Sequence, residues 1–385
     1  MVILIKQVRV LDPEDRGTLD VLIAGQRVFA IAGDIPPPRV PGVDLQLIDG
    51  RGHFLVPGLV DGLVHISGGG GEGGFAGRTL PLPAEAALAA GVTTVIGCLG
   101  TDAVTRSHSD LLATARALAA QGLDALCLTG SYSLPPPTLT GSIERDLVLI
   151  PEIIGLGELA LADHRGSQPG WRELAAAASE SRRGGMLAGK RGTVLLHLGD
   201  GENPLVLVEE VLARTEIPRN QFLPTHCNRS PHTFAAACAF GRAGGNLDFT
   251  TSTTQAFLDA GEIPAGEAIA QALDAGVQPH SLSLSSDAQA SLPAFGEEQQ
   301  LLDVQVADIG SLWQAVRSAV HEHAVPLVTA LATVTRNPAR IFGLEDRGRI
   351  SKGSKADLVL VEQGSLALAT TISAGKVRWD SGLQR

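Results

Sequence analysis

The chain has 385 residues, of which 44% are hydrophobic and 18% are charged, a balance typical of a folded enzyme and not of a disordered segment. Its formal net charge of −11 argues against nucleic acid or an anionic membrane as a partner. No apolar run approaches the roughly 20 residues of a membrane-spanning helix. The length allows one large domain and a smaller one.

The four cysteines indicate the compartment. Cys98, Cys127, Cys227 and Cys238 form no CxxC pair, and each lies in an apolar or alanine-rich context. We therefore expect buried, reduced thiols in a cytoplasmic protein. The first ten residues carry no basic region ahead of their apolar run, so we also expect no signal peptide.

The two ends of the chain have a similar pattern of apolar and polar residues. Residues 2–10 and 21–32 are short apolar, β-branched runs separated by a polar turn, and residues 356–361 and 371–377 are similar. We predict that residues 1–54 and 348–385 together form a small β-sandwich domain, with the middle of the chain inserted between them.

The middle alternates apolar strands with alanine-rich helices, several of which end at a glycine. The predicted strands are residues 55–66, 93–100, 124–130, 154–161, 193–200, 222–227, 247–252 and 282–287. The predicted helices include residues 110–121, 171–182, 205–214, 232–242 and 265–275. Eight such units predict an α/β fold, a TIM-type (β/α)₈ barrel over residues 55–347.

Seven polar residues fall at or just after the ends of seven predicted strands. They are His65, Thr101, Tyr132, Glu158, His197, His226 and Asp287. Because the carboxyl ends of barrel strands meet on one face, we expect these side chains to form one site. Taken singly, a strand-end histidine is more often a hydrogen-bonded core residue than a ligand, and Asp287 could cap the next helix.

Imidazoles and carboxylates together are the usual ligands of a catalytic zinc or similar divalent ion. Such an ion activates water for hydrolysis near neutral pH. Asp287 is well placed to take the proton from that water and return it to a leaving amine. The combined residues therefore predict a metal-dependent hydrolase.

Charged residues around the predicted site suggest the substrate. Arg165 and Arg229 follow barrel strands and are suited to binding carboxylates, although each could instead form a surface salt bridge. Glu72, on a glycine-rich loop after the first barrel strand, could accept an ammonium group. Two cations and one anion beside a metal fit a small zwitterion with two carboxylates, such as a dipeptide that contains an acidic residue.

These residues resemble the isoaspartyl dipeptidases (β-aspartyl peptidases) of the amidohydrolase superfamily, over nearly the whole chain. The most specific motifs run from His65 to Glu72, from Gly97 to Thr101, from Leu128 to Tyr132, from Asp163 to Arg165, from Pro224 to Arg229 and from Ser285 to Ser291. The resemblance implies hydrolysis of β-aspartyl dipeptides, two zinc ions, and a homo-oligomer that is octameric in the family.

The resemblance also implies a role for each residue. His197 and His226 would hold one metal, His65 and Asp287 the other, and Glu158 would bridge them. Asp287 would be the general base and Tyr132 would polarise the scissile carbonyl. Substrate binding would fall to Glu72 for the amino group, Arg229 and Thr101 for the aspartyl α-carboxylate, and Arg165 and Ser291 for other polar ends.

The sequence departs from the family pattern at two positions. Glu158 replaces a carboxylated lysine, and its two oxygens still allow bridging. Leu63 replaces the first histidine of a His-x-His pair, and leucine cannot bind a metal. One metal could therefore be weak or absent, with turnover reduced, or the chain could be a catalytically impaired binding protein. A further alternative is a related amidohydrolase that acts on N-acyl amino acids or cyclic amides.

Overall fold

The computed structural model describes residues 2–39, 41–71, 74–295 and 301–384. The chain begins with five strands, whose apolar residues alternate with polar ones or run continuously. They are β1 (Val2–Asp12), β2 (Glu14–Ala24), β3 (Arg27–Ala32), β4 (Leu45–Asp49) and β5 (His53–Pro57). Strand β1 lies at the centre, antiparallel to β2 and parallel to β4 and β5.

Eight parallel strands then form a barrel. They are β6 (Leu59–Val64), β7 (Val92–Gly97), β8 (Asp124–Thr129), β9 (Ile153–Leu161), β10 (Thr193–Leu198), β11 (Phe222–Thr225), β12 (Leu247–Thr250) and β13 (Leu282–Ser285). Strands β6 to β11 pair in chain order, and β12 pairs with β13. All eight correspond to predicted strands, so the predicted barrel is confirmed.

Backbone hydrogen bonds close the barrel at both seams. Between the first and last strands, the Asp287 amide donates to the Leu63 carbonyl at 3.1 Å, and the His65 amide donates to the Ala288 carbonyl at 2.9 Å. At the other seam, the Cys227 amide donates to the Asp248 carbonyl at 3.2 Å. The first closure places His65 and Asp287 on neighbouring segments.

The predicted first strand, residues 55–66, was wrong in extent because it is two strands. Strand β5 pairs with the C-terminal strand that begins at Leu358, and the chain changes sheets at Gly58 before β6 enters the barrel. The Gly58 amide donates to the Asp357 carbonyl at 2.7 Å, and a Cβ at this position would lie 2.1 Å from the Thr93 hydroxyl. Only glycine fits this crossing.

Helices follow most barrel strands and cover the barrel. They are α1 (Ala84–Ala89), α2 (His108–Gln121), α3 (Ile143–Leu149), α4 (Trp171–Ala188), α5 (Val206–Arg214), α6 (Pro231–Arg242), α7 (Gln255–Asp259), α8 (Ala265–Asp274), α9 (Ser311–His321), α10 (Leu327–Ala332) and α11 (Arg336–Phe342). Ser107, Ser142 and Ser230 cap the N-termini of α2, α3 and α6 with their hydroxyls. No helix in the described part of the chain is long and apolar enough to cross a membrane.

After the last barrel strand, a hairpin of β14 (Ser291–Phe295) and β15 (Leu301–Val306) brings Ser291 to the carboxyl face of the barrel. The chain then returns to the terminal sheet as β16 (Leu358–Glu362), β17 (Leu368–Ser373) and β18 (Lys376–Asp380). Hydrogen bonds link these strands to the N-terminal ones in one eight-stranded sheet. Both termini therefore build one β unit, while the predicted domain limits at 54/55 and 347/348 stay a prediction.

Apolar side chains also fill the barrel itself. A cluster that we call the barrel-interior cluster contains Val60, Leu63, Ile96, Cys98, Leu128, Ile154, Leu195, Leu223, Ala339, Ile341, Phe342 and Leu344. Leu63 is completely buried in it. The position where the family pattern has a histidine is therefore part of the hydrophobic interior of the barrel.

Candidate functional site

A cavity of about 780 Å³ opens at the carboxyl ends of the barrel strands. Nine residues that the sequence nominated contribute to its wall: His65, Thr101, Tyr132, Arg165, His197, His226, Arg229, Asp287 and Ser291. Glu158 is buried directly beneath them. Glu72, the eleventh candidate, lies outside the described residues.

Glu158 is the centre of the site, near the end of β9. One of its oxygens, Oε1, lies 2.6 Å from His197 Nδ1 and 3.2 Å from His226 Nε2. The other, Oε2, lies 3.9 Å from His65 Nε2 and 4.0 Å from the Cys98 sulfur. Burial would raise the pKa of Glu158, but the two imidazoles at Oε1 hold this pKa well below its usual range. The carboxylate is therefore charged and faces two separate sets of donors.

The imidazole of His226 is neutral, and its Nε2 lies 3.2 Å from Glu158 Oε1. Burial, reinforced by the neighbouring His197, lowers the pKa of His226 to about 4. Its Nδ1 lies 2.6 Å from the Thr250 hydroxyl, which can accept the ring proton. In the tautomer that donates to Thr250, Nε2 would be free to bind a cation beside the carboxylate.

His197 is oriented by Asp163, which the sequence analysis treated only as a neighbour of Arg165. Asp163 Oδ2 lies 3.1 Å from His197 Nε2 and can accept its proton. Burial would raise the pKa of Asp163, but hydrogen bonds from Arg165 and His197 hold this pKa well below its usual range. This carboxylate–histidine pair leaves His197 Nδ1 as the nitrogen that faces the cavity, as metal-binding histidines require.

His65 and Asp287 face each other across the closing seam of the barrel. His65 Nε2 lies 3.1 Å from Asp287 Oδ1, within range of an ion pair. Apart from this contact with His65, the buried Oδ1 has no hydrogen-bond donor among the described residues. Asp287 also has a positive φ of 56°, a conformation uncommon outside glycine. An unsatisfied carboxylate oxygen in such a place is the expected state of a ligand without its ion.

The donor set fits a divalent cation. Glu158, His197 and His226 place one ligand atom each within 4.8 Å of one another, and so do Glu158, His65 and Cys98. Ligand atoms in a tetrahedral zinc site are about 3.4–3.6 Å apart, given bond lengths of ~2.0–2.3 Å. The separations given above run from 2.6 to 4.0 Å, so side-chain shifts of up to about an ångström would complete the coordination.

Tyr132 lies beside the metal candidates with its hydroxyl protonated. Its oxygen is 2.9 Å from His197 Nδ1, and its ring packs against the His197 ring. Burial, together with the charge of Glu158, raises the pKa of Tyr132 well above its usual value. A neutral phenol in this position can donate a hydrogen bond into the cavity.

The two arginines differ in how firmly they are held. Arg165 donates to Asp163 from its backbone amide at 2.8 Å, from Nε at 2.9 Å and from Nη2 at 2.6 Å, and it stacks over Tyr132. Arg229 Nη1 lies 4.0 Å from the same Asp163 carboxylate. The salt-bridge alternative thus describes Arg165, while the Arg229 guanidinium is less tightly engaged by that acid.

Two further residues support the site and were missed by sequence reasoning. Asp61 accepts hydrogen bonds from the amide of Ser286, at 3.0 Å, and from its hydroxyl, next to Asp287. Arg106 is buried and donates to the carbonyls of Ser67 and Gly69 in the glycine-rich loop, and to that of Thr79. A lone aspartate in the apolar β6 was a usable signal. Nothing local distinguishes Arg106 from a surface arginine.

Comparison with known proteins agrees with this geometry. A β-aspartyl dipeptidase from Fervidobacterium islandicum AW-1, solved in complex with β-Asp-Leu, is 38% identical with a TM-score of 0.91, over 99% of this chain and 98% of that one. A second structure of that enzyme gives 37% identity and a TM-score of 0.89 over the same shares of the two chains. The Amidohydrolase family matches residues 264–378.

Curated relatives are more distant or match over less of the chain. Adenine deaminase from Paracoccus denitrificans is 25% identical over 375 residues, which are 94% of this chain and 55% of that protein. Dihydroorotase from Staphylococcus aureus is 40% identical over 92 residues, which are 24% of this chain and 20% of that protein. The chain therefore spans about half or less of the length of these relatives.

Proposed function

Because the chain belongs to the β-aspartyl dipeptidase family of the amidohydrolase superfamily, and is a hydrolytic enzyme on that ground, we propose that it hydrolyses the isopeptide bond of β-aspartyl dipeptides with the help of a divalent metal. One observation carries the proposal: Glu158 stands between two sets of ligand atoms on the floor of a cavity whose wall includes Arg165 and Arg229. Metal ligands supply the hydrolytic chemistry, and the arginines select an anionic substrate.

We propose zinc as the metal. His197, His226 and Oε1 of Glu158 would hold one ion, while His65, Asp287 and Oε2 of Glu158 would contribute to the second. Nitrogen and carboxylate donors suit zinc. When bound, such an ion lowers the pKa of water to about 7 and polarises a carbonyl group.

Asp287 is proposed as the general base. Its Oδ1 is buried beside His65 and has no hydrogen-bond donor among the described residues. A carboxylate of this kind can take a proton from the attacking water. It can then return the proton to the nitrogen of the leaving amine when the isopeptide bond breaks. The proton balance closes, because the carboxylate is regenerated in each cycle.

Tyr132 is proposed to stabilise negative charge on the scissile carbonyl oxygen. Its raised pKa keeps the phenol protonated at the pH of catalysis. In the structure its hydroxyl lies against His197 Nδ1. Once that nitrogen is engaged as a ligand, the hydroxyl can donate to the substrate, where charge develops during attack.

Substrate binding is proposed to follow the charges of a β-aspartyl dipeptide. Arg229 and Thr101 would bind the aspartyl α-carboxylate, and Arg165 and Ser291 would bind other polar ends. All four contribute to the cavity wall. Glu72 would bind the amino group, which stays a prediction because this residue lies outside the described range. We also propose a cytoplasmic homo-oligomer, octameric as in the family, which light scattering would test.

The direct test is hydrolysis of β-Asp-Leu by the zinc-loaded protein, with α-Asp-Leu as the matched substrate. We expect leucine release from the β-linked dipeptide only, and loss of that release in Asp287→Asn. Stoichiometric binding of β-Asp-Leu without product over hours would refute the enzymatic proposal and favour a binding protein.

A second candidate activity is hydrolysis of cyclic amides or N-acyl amino acids. The specific observation in its favour is the 92-residue similarity to dihydroorotase. Parallel assays with a hydantoin and an N-acetyl amino acid would distinguish the two. A kcat/KM for either compound above that for β-Asp-Leu would select the second candidate.

A further inference from the structure

We propose that the sulfur of Cys98 is a metal ligand that takes the place of the histidine missing at Leu63. In this arrangement the second ion is held by Cys98, His65 and Glu158, opposite Asp287. The inference rests on the proposed metal dependence but not on the identity of the substrate.

Register places Cys98 beside the missing ligand. Strand β6 pairs with β7 so that Val64 lies opposite Gly97, and the Cys98 amide donates to the Val64 carbonyl at 3.2 Å. Leu63 and Cys98 both belong to the barrel-interior cluster. Their side chains therefore enter the barrel interior from neighbouring strands, with Cys98 level with His65 and two residues further along than Leu63. A donor at position 98 lies beside the remaining histidine of the pattern, His65.

The distances around the Cys98 sulfur fit coordination. Sγ lies 3.9 Å from His65 Nδ1 and 4.0 Å from Glu158 Oε2. The second Glu158 oxygen also lies 3.9 Å from His65 Nε2. Sulfur, nitrogen and oxygen ligands of one zinc ion are separated by about 3.4–3.6 Å. The two His65 contacts use different ring nitrogens, but one ligand atom from each of the three side chains lies within 4.8 Å of the other two. Shifts of about an ångström would therefore complete the coordination.

The environment of Cys98 differs from that of other cysteines in the barrel. Cys127, one strand further on, directs its thiol to the Leu111 carbonyl at 3.9 Å, and Cys227 directs its thiol to the Pro224 carbonyl at 3.2 Å. Cys98 instead faces an imidazole and a carboxylate. A buried thiol that serves only to fill space has no need of two ionisable neighbours.

Asp287 provides an independent observation at the same place. Its buried Oδ1 lacks a hydrogen-bond donor within the described ranges and lies 3.1 Å from His65 Nε2. The proposed second metal site therefore offers the Cys98 sulfur, a His65 nitrogen and one carboxylate oxygen each from Glu158 and Asp287. Binding would break the S–H bond of Cys98, form a sulfur–metal bond and release the proton to solvent through the cavity. A thiolate also makes this site softer, which favours zinc over magnesium or manganese.

Cobalt substitution tests the inference without measuring activity. We expect the wild-type protein loaded with Co²⁺ to show sulfur-to-cobalt charge-transfer absorption in the near ultraviolet. Cys127→Ala is the matched control and should keep this band, whereas Cys98→Ala should lose it. The second Co²⁺ should bind Cys98→Ala at least tenfold more weakly, since even loss of a hydrogen-bonding partner of a ligand costs about 10–100-fold.

Each outcome separates the inference from the proposed function. Two bound Co²⁺ ions without a sulfur-to-cobalt band would overturn the role of Cys98 while leaving metal dependence intact. Equal affinity of Cys98→Ala and the wild type for the second Co²⁺ would do the same. Absence of any bound ion would overturn both. A sulfur band in a protein that fails to cleave β-Asp-Leu would support the ligand and refute the substrate.

A double variant guards against the possibility that Cys98→Ala merely disturbs the fold. Adding Leu63→His to Cys98→Ala returns a nitrogen donor to the position where the family pattern has one. We expect the second ion to bind again, now without sulfur-to-cobalt absorption. A double variant that still binds only one ion would contradict the idea that Cys98 replaces that histidine.

Discussion

Asp163→Asn should weaken metal binding at His197 while leaving every proposed ligand in place. The Asp163 carboxylate lies 3.1 Å from His197 Nε2, and it also accepts three hydrogen bonds from Arg165. Its negative charge fixes the proton on Nε2 and makes Nδ1 a better donor. Asparagine is neutral, and its single oxygen cannot serve both partners.

The size of the effect follows from that lost contact. Removing a hydrogen-bonded carboxylate behind a ligating histidine costs about 10–100-fold in metal affinity, or about 1.4–2.7 kcal/mol of binding free energy. Titration of the metal-free protein with Zn²⁺ against a competing chromophoric chelator would measure it. We expect one of the bound ions to weaken by this factor and the other to be little changed.

Asp200→Asn is the matched control, because Asp200 also lines the cavity but is exposed. It removes the same charge from a residue that, within the described part of the chain, forms no hydrogen bond or ion pair with a proposed ligand. The Zn²⁺ affinity should therefore change less than threefold, about 0.7 kcal/mol. Equal affinities for Asp163→Asn and the wild type would refute the orienting role of Asp163. Equal weakening in both variants would show that cavity charge, and not the hydrogen bond, is responsible.

Three other predictions follow from the same geometry. Arg229→Met should raise KM for β-Asp-Leu about 10- to 100-fold by removing a charged hydrogen bond, and an unchanged KM in steady-state kinetics would contradict its role. Tyr132→Phe should lower kcat about 10²- to 10³-fold with little change in KM, and a kcat within threefold of wild type would exclude its charge-stabilising role. Burial raises the pKa of Asp248 to about 6 despite hydrogen bonds from three hydroxyls. The folded state therefore holds this proton more tightly than the unfolded state does. The resulting contribution to the free energy of unfolding is complete below the unfolded pKa near 4 and is lost as the pH rises through about 6. Relative to Asp248→Asn, the wild type should therefore lose up to about 3 kcal/mol of unfolding free energy between pH 4 and 7 in urea titrations, and parallel pH profiles would refute this.

The sequence was sufficient for the barrel and for most of the cavity wall. The barrel strands are short, largely buried runs rich in apolar residues. Polar residues such as His197 and His226 stand at or just after the ends of their strands, where this fold gathers functional groups. The transfer of the chain between sheets at Gly58 was not predictable, because both strands on either side are apolar. The hydrophobic pattern of a strand indicates that it is buried, but not in which sheet it lies.

Long-range pairing explains what the sequence did not reveal at the site. Asp163 lies two residues before Arg165, yet its function depends on His197, more than thirty positions away. Cys98 looked like an ordinary buried thiol, since nothing in its neighbours along the chain specifies that its sulfur faces Glu158. Only the register of β7, β8 and β9 within the sheet defines that contact.

The same register explains why the chain can keep its fold with leucine at position 63. Leu63 is fully buried among apolar residues of the barrel-interior cluster, so it contributes packing where a histidine would need a metal or a hydrogen bond to offset its burial. Cys98 is small, belongs to the same cluster, and places its sulfur towards Glu158. Exchanging a histidine for a leucine on one strand, with a thiol on the next, keeps the interior apolar and still leaves a donor for the ion. The departure from the family pattern at Leu63 is thus better explained as a relocated ligand than as a lost one.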